Sequence, residues 1–569
     1  MIGLIDSVMS AIGAKLGMAA DPLKLVLTLV LSYPFCAVLK RLPDGNKVYK
    51  QIFCVAVSGF YLLGIFSLKY GLRTLMISSL GTYAIAKYMK STLMPWAAFV
   101  FVMGHLTISH IGRYKHPESD GVVDITGAQM VLVMKLTAFA WNVHDGRRPV
   151  AELSKIQIDR ALTTLPPLFD FLTYVFFFPS LLIGPSFDYA EFSRWLDLSM
   201  FDPEQKVTAK RHKKSKRKIP RSGRVAFRKA LQGFFWIALF VYLGSVFQTS
   251  YIFSPEYLHH SFLFRIFYLW PLGFTYRLKY YGAWSLAEGA CILCGLSYNG
   301  IDAKSGKRSW DRVKNIDWYK FESGQNTYTL LEAWNMNTNK WLKTYVYLRV
   351  TPRGKKPGFR STLLTFLTSA LWHGVSPGYY LTFMTGAFMQ SCGRSIRRYI
   401  RPFFLTADQA GPGPYKKYYD AVTYVCTQLV FGYAVQPFMI LTFRESIKAW
   451  RGVYFYIHIA LFSMTFLFSR REFRKFVESK LAARNTAASK LSQLRYDIER
   501  ARAKKLQSEL EQLDDGSSPS LGIPDHDFDQ VQTEIKEEMQ LDLAVLKNDL
   551  DQFRRRATAA TRTDTDRKQ

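Results

Sequence analysis

The stretch SALWHGVSPGYYLTF, Ser369 to Phe383, sets one ionisable residue, His373, in a run that carries no Asp, Glu, Lys or Arg from Ser361 to Gly393. A run of this kind belongs in lipid or in a dry protein core. It is too long for a single crossing at about 1.5 Å of rise per residue. Ser376-Pro377-Gly378 in its middle breaks or kinks a helix. The segment therefore reads as two helical pieces with a histidine at the break.

The same reading extends along the chain. A bilayer needs about 20 mainly apolar residues for one helical crossing. Ser91 to Gly112 has no acidic or basic residue except two histidines, and Ala230 to Pro255 has none. Ala421 to Phe443 and Gly452 to Ser469 are likewise free of Asp, Glu, Lys and Arg. Shorter or more polar runs lie near 23–39, 51–68, 71–89, 121–141, 165–187, 261–276 and 281–299. Together they imply about ten to thirteen crossings or re-entrant pieces. A large soluble core is excluded, because so little polar chain cannot cover so many such runs.

Composition conceals this pattern. The chain has 569 residues, 49% of them hydrophobic and 15% aromatic, yet its mean hydropathy is near zero. The apolar residues are concentrated in the first 470 positions, which read as one membrane-embedded domain. Residues 471–569 form a charged tail, expected on the cytosolic side as amphipathic helices or disorder. Leu491, Leu494, Ile498, Leu506, Leu510 and Leu513 recur at helical spacing there, as do Ile535, Met539, Leu546, Leu550 and Phe553.

The formal charge is +31, and twelve Lys and Arg residues fall between Lys206 and Lys229 with no acid among them. Short basic loops stay cytosolic, so 206–229 reads as a topology signal, with attraction to anionic headgroups as a second use. Embedding in a membrane argues against a nucleic-acid partner. Six cysteines lie in or beside apolar segments. Cys291 and Cys294 form an isolated C-x-x-C, which suits packing better than metal binding.

Two constellations carry chemistry. Ionisable groups inside membrane segments are costly, and they face cavities or mark pathways. At His373, Gly374 and Gly378 permit close approach, Pro377 frees backbone groups, and Trp372 and Tyr379 supply walls with polar tips. An apolar setting keeps an imidazole uncharged, the form a general base needs. His105, His110 and His458 lie in or near apolar runs but lack this Gly-Pro-Gly setting. The second constellation is LLEAWNMNTNKWLKTYVYLRV, Leu330 to Val350. Asn335, Asn337 and Asn339 suit either a polar site or a capped helix start. Trp334, Trp341, Tyr345 and Tyr347 suit a segment at headgroup level. Arg349, Arg353, Lys355, Lys356 and Arg360 follow, and could meet cofactor phosphates or lipid headgroups.

Trp372-His373-Gly374, with Pro377-Gly378-Tyr379 and Phe383, resembles a signature of the membrane-bound O-acyltransferase family. WNMNTNKWLKTYVYLR resembles the family's other signature. LPPLFDFLTYVFFFPSLLIGPSFDYAEF (Leu165 to Phe192) and LSYNGIDAKSGKRSWDRVKNIDWYKFE (Leu296 to Glu322) resemble its lysophospholipid acyltransferase branch, and fungal broad-specificity members in particular. The match spans roughly 20–470.

The resemblance implies an all-α, multi-pass protein of about eleven transmembrane helices enclosing an intramembrane chamber. It implies residence in the endoplasmic reticulum membrane. It implies acyl-CoA as co-substrate and a lysophospholipid as acceptor, mainly at the sn-2 hydroxyl, in phospholipid remodelling. No permanently bound cofactor and no metal are expected. It makes His373 the catalytic histidine and Asn335 its polar partner. Trp334, Asn339, Trp341, Tyr345, Arg349, Trp372, Gly374 and Tyr379 are the substrate-binding candidates. Lys355, Lys356 and Arg360 are the candidates for the CoA phosphates. Two other functions remain open at this point. One is the same chemistry on diacylglycerol, a sterol or a protein. The other is a transporter using His373 as a proton relay, which would call for inverted repeats or several intramembrane acids. Neither feature is evident.

Overall fold

A computed structural model describes residues 2–16, 19–116, 123–202, 219–302, 304–351, 358–406, 409, 411–514, 537 and 539–551. Most of the basic 206–229 loop, together with Lys355 and Lys356, lies outside the described residues. Among the described residues there is no strand, only two isolated bridges, Ile301 to Arg308 and Leu405 to Pro412.

By length and apolarity, four described helices can cross a membrane: Ala20–Leu39, Lys47–Ile65, Met94–Lys115 and Gly223–Phe253. Phe443–Arg451 and Tyr456–Ser469, bent by 84°, make a fifth if taken as one broken span. Other long helices are too polar or too short for this criterion. Thr126–Gly146 contains Lys135, Asn142 and Asp145. Phe262–Cys294 contains Arg265, Arg277 and Glu288. Phe359–His373 has only 15 residues.

Position explains the difference. Only 11% of the Gly223–Phe253 span is buried against protein, and Phe227, Leu231, Phe235 and Tyr242 stand exposed on it. A helix solvated by lipid must be apolar. Thr126–Gly146 is the opposite case, with 17 of its 21 residues buried. A helix surrounded by protein can carry polar groups because its neighbours satisfy them. Lys135 shows how. Its ammonium donates to the Tyr174 carbonyl at 3.1 Å and approaches Ser180 Oγ at 3.2 Å. It also sits 4.4 Å from the centroid of the Phe187 ring. These contacts bind the Leu165–Phe192 segment around the central helix.

The chain divides into two compact units. The larger comprises Met1–Gly393 and Ala421–Ser463 and contains every residue of the site described below. The other comprises Arg394–Asp420 and Met464–Gln569. Its main element is the 44-residue helix Arg471–Asp514. Arg484 on that helix donates to the carbonyls of Pro402 and Leu405 at 3.0 and 2.7 Å. Leu543 and Leu546 from residues 539–551 pack with Ala503 in a small apolar cluster. Leu494 and Ile498 remain exposed.

Candidate active site

His373 is the last residue of Phe359–His373. The chain turns at Gly374 and starts again as the helix Pro377–Ser395. The imidazole stacks on Phe383 with centroids 5.1 Å apart. Phe438 meets it edge-on at 4.9 Å, and Tyr379 lies at 5.7 Å. The ring is partly buried and keeps accessible surface.

Two glycines make the turn possible. Gly374 has φ 149°, a conformation that side-chain-bearing residues avoid. A Cβ there would stand 2.8 Å from the Tyr379 ring. At Gly378 a Cβ would stand 2.0 Å from the Pro437 carbonyl oxygen. The Gly378 N–H donates to the Leu441 carbonyl at 2.8 Å, so this helix start is held against the 436–441 segment that also supplies Phe438. Gly378→Ala is expected to push these backbones apart and lower the melting temperature of the detergent-solubilised protein, since overpacking costs about 1–3 kcal/mol. An unchanged melting curve would show that the contact is loose.

Asn335 precedes the short helix Met336–Leu342 in a left-handed conformation, φ 41° and ψ 56°, which Asn tolerates better than most residues. Its Oδ1 accepts from the Thr338 hydroxyl at 2.8 Å. Among the described residues its Nδ2 has no hydrogen-bond partner, so a donor remains for a ligand. Trp334 beside it packs against Trp284, Tyr280 and Phe321, with centroids 5.1 to 5.7 Å apart.

Both constellations rest on one stripe of the central helix Thr126–Gly146. The Trp372 indole N–H donates to the Met130 carbonyl at 2.9 Å. Thr338 Oγ1 lies 3.2 Å from Met134 Sδ. The Trp341 indole N–H donates to Thr137 Oγ1 at 2.8 Å. Positions 130, 134 and 137 follow one helical face. The rings of Trp341 and Trp372 are 6.1 Å apart. The segments carrying Asn335 and His373 are therefore neighbours on that face.

The remaining candidates divide by what they touch. Asn339 donates to the Leu331 carbonyl at 3.1 Å. The Tyr345 hydroxyl lies 2.9 Å from Asp188 and 3.0 Å from Asn142. A π-turn over Lys343–Tyr347 lets Tyr345 and Val346 both point inward. Arg349 pairs with Asp145, one contact measuring 2.9 Å, and lies 4.1 Å over the Trp141 ring. These three side chains hold protein groups. Arg360 is exposed in the first turn of Phe359–His373. One residue that sequence reasoning set aside belongs here. His110 Nε2 is 3.1 Å from the Trp372 carbonyl, and no local sequence pattern marks it.

A helical membrane fold, a histidine among aromatic rings at a helix break and an asparagine amide with a donor to spare suit an enzyme that works within the bilayer. The chain belongs to the membrane-bound O-acyltransferase family, whose model matches residues 111–436. It is 48% identical to the lysophospholipid acyltransferase of Saccharomyces cerevisiae, over 82% of this chain and 77% of that one. It is 45% identical to the lysophospholipid acyltransferase of Schizosaccharomyces pombe, over 81% of this chain and 88% of that one. It is 32% identical to membrane-bound glycerophospholipid O-acyltransferase 1 of Mus musculus, over 72% of this chain and 79% of that one. The family read from the four segments is the family found.

Proposed function

We propose that the protein transfers a fatty acyl group from acyl-CoA to the free hydroxyl of a lysophospholipid, mainly at sn-2, in phospholipid remodelling in the endoplasmic reticulum membrane. The observation that carries this reading is a partly accessible imidazole, His373, held between aromatic rings at the end of a broken helix. The neutral imidazole takes the proton of the acceptor hydroxyl as its oxygen attacks the thioester carbonyl. A carbon–oxygen bond forms, the carbon–sulfur bond breaks, and the proton passes to the CoA thiolate. The imidazole is regenerated, and no oxidant or metal is called on. Asn335 Nδ2 donates to the carbonyl oxygen as negative charge builds there. A site set off from bulk water favours transfer over thioester hydrolysis.

In this reading Trp334, Trp341, Trp372, Gly374 and Tyr379 shape the walls, while Asn339, Tyr345 and Arg349 hold the elements that present them. Arg360, with Lys355 and Lys356, suits the CoA phosphates on the cytosolic side. The purified enzyme, given one labelled acyl-CoA, is expected to acylate lysophospholipids and not diacylglycerol, a sterol or a peptide. Preference for one of the latter would overturn the acceptor assignment. Asn335→Gly is a clean test of the amide, because glycine takes φ 41° without strain. Turnover should fall about 10²–10³-fold, and an unchanged rate would remove Asn335 from the mechanism.

A further inference from the structure

The geometry points to His110 as a positioning residue that aims the catalytic imidazole by gripping the peptide group between Trp372 and His373; this rests on the base assignment of His373 above. The last four carbonyls of a helix have no partner within it. At the end of Phe359–His373, the Ala370 carbonyl takes the Gly374 N–H at 3.0 Å. The Trp372 carbonyl takes His110 Nε2 instead, at 3.1 Å, across 262 residues of sequence. A carbonyl can only accept, so Nε2 carries the proton and donates it.

His110 is itself 7% exposed, on the helix Met94–Lys115. Its other ring nitrogen lies over the turn, 3.6 Å from where a Cβ on Gly374 would stand. Trp372 is thus held twice. Its carbonyl is held by His110, and its indole N–H is held by the Met130 carbonyl at 2.9 Å. The peptide plane gripped in this way leads directly into the Cα of His373 and sets the direction in which its side chain leaves. With the plane fixed, the ring can only swing about its own side-chain bonds, between Phe383 and Phe438. Without the grip, the end of the helix is free to fray and the base drifts from attack distance.

The test uses the purified full-length enzyme and a pair of side chains of equal length. His110→Gln keeps an N–H donor at about the position of Nε2. His110→Met fills the same space without one. Turnover, KM for the lysophospholipid and the melting temperature in detergent are read for both. The expectation is that His110→Gln stays within one order of magnitude of wild type. His110→Met loses about 10²-fold in kcat, the scale of a misplacement of the reacting group by 1 Å, with KM little changed. Equal activity of the two variants, or a loss confined to KM, overturns the inference. So does a joint fall of kcat and melting temperature in both, which is the mark of a purely structural role. His373→Ala, assayed alongside, separates the two readings. If it turns over normally, the base assignment fails whatever His110 does. If it is inactive while His110→Met is fully active, only the present inference fails.

Discussion

His373→Ala is expected to abolish acyl transfer in a protein that still folds. The lost imidazole makes four aromatic contacts, with Trp372, Phe383, Phe438 and Tyr379. Aromatic pairs contribute about 0.5–1.5 kcal/mol each, and the ring is only partly buried, so its removal costs less than emptying a fully buried site. The chemical loss is larger. An alcohol attacks a thioester slowly until its proton is taken, and a positioned base supplies about 10²–10⁴ in rate. The variant should therefore purify with a near-normal melting curve, and labelled acyl-CoA should remain unconsumed. Normal turnover in the folded variant would refute the assignment. His373→Gln, which restores bulk without basicity, should be equally inactive.

The second large effect falls on stability. Arg349 was placed by its sequence context among groups that touch substrate, but its guanidinium pairs with Asp145, whose side chain is 2% exposed. Removing one partner of a buried ion pair strands the other, at about 3–5 kcal/mol. Arg349→Met is therefore expected to lower the melting temperature sharply, and the KM of whatever folds should stay near wild type. Adding Asp145→Asn should recover much of the loss, because no uncompensated charge is then buried. The opposite pattern, a raised KM at unchanged stability, would return Arg349 to the substrate.

How much of this was legible depends on which solvent each residue meets. Gly223–Phe253 faces lipid, so its apolar composition identifies it without help. Thr126–Gly146 faces protein on nearly every side. Its Lys135 and Asp145 read as signs against a crossing until Ser180 and Arg349 appear beside them. The sequence shows such helices only as shorter or more polar runs, near 121–141, 261–276 and 281–299, and the strict length-and-apolarity criterion passes over them. The surroundings of His373 could be read because glycine and proline announce a break in their own local sequence. Asn335 could be read as polar and out of place, but not as the owner of a free Nδ2. Tyr345 and Arg349 show the limit of local patterns. A polar side chain in a signature looks the same whether its partner is a ligand or Asp188. His110 shows that limit at its plainest, since its partner lies 262 residues away.

The most direct measurement is acyl transfer by the purified protein itself. Reconstituted in phospholipid and given radiolabelled acyl-CoA with a lysophospholipid, it should release one free CoA thiol for each diacyl phospholipid formed, with no free fatty acid in excess. Free fatty acid as the main product, or a labelled phospholipid that still appears when His373 is alanine, would mean that the interior histidine is not where donor and acceptor meet.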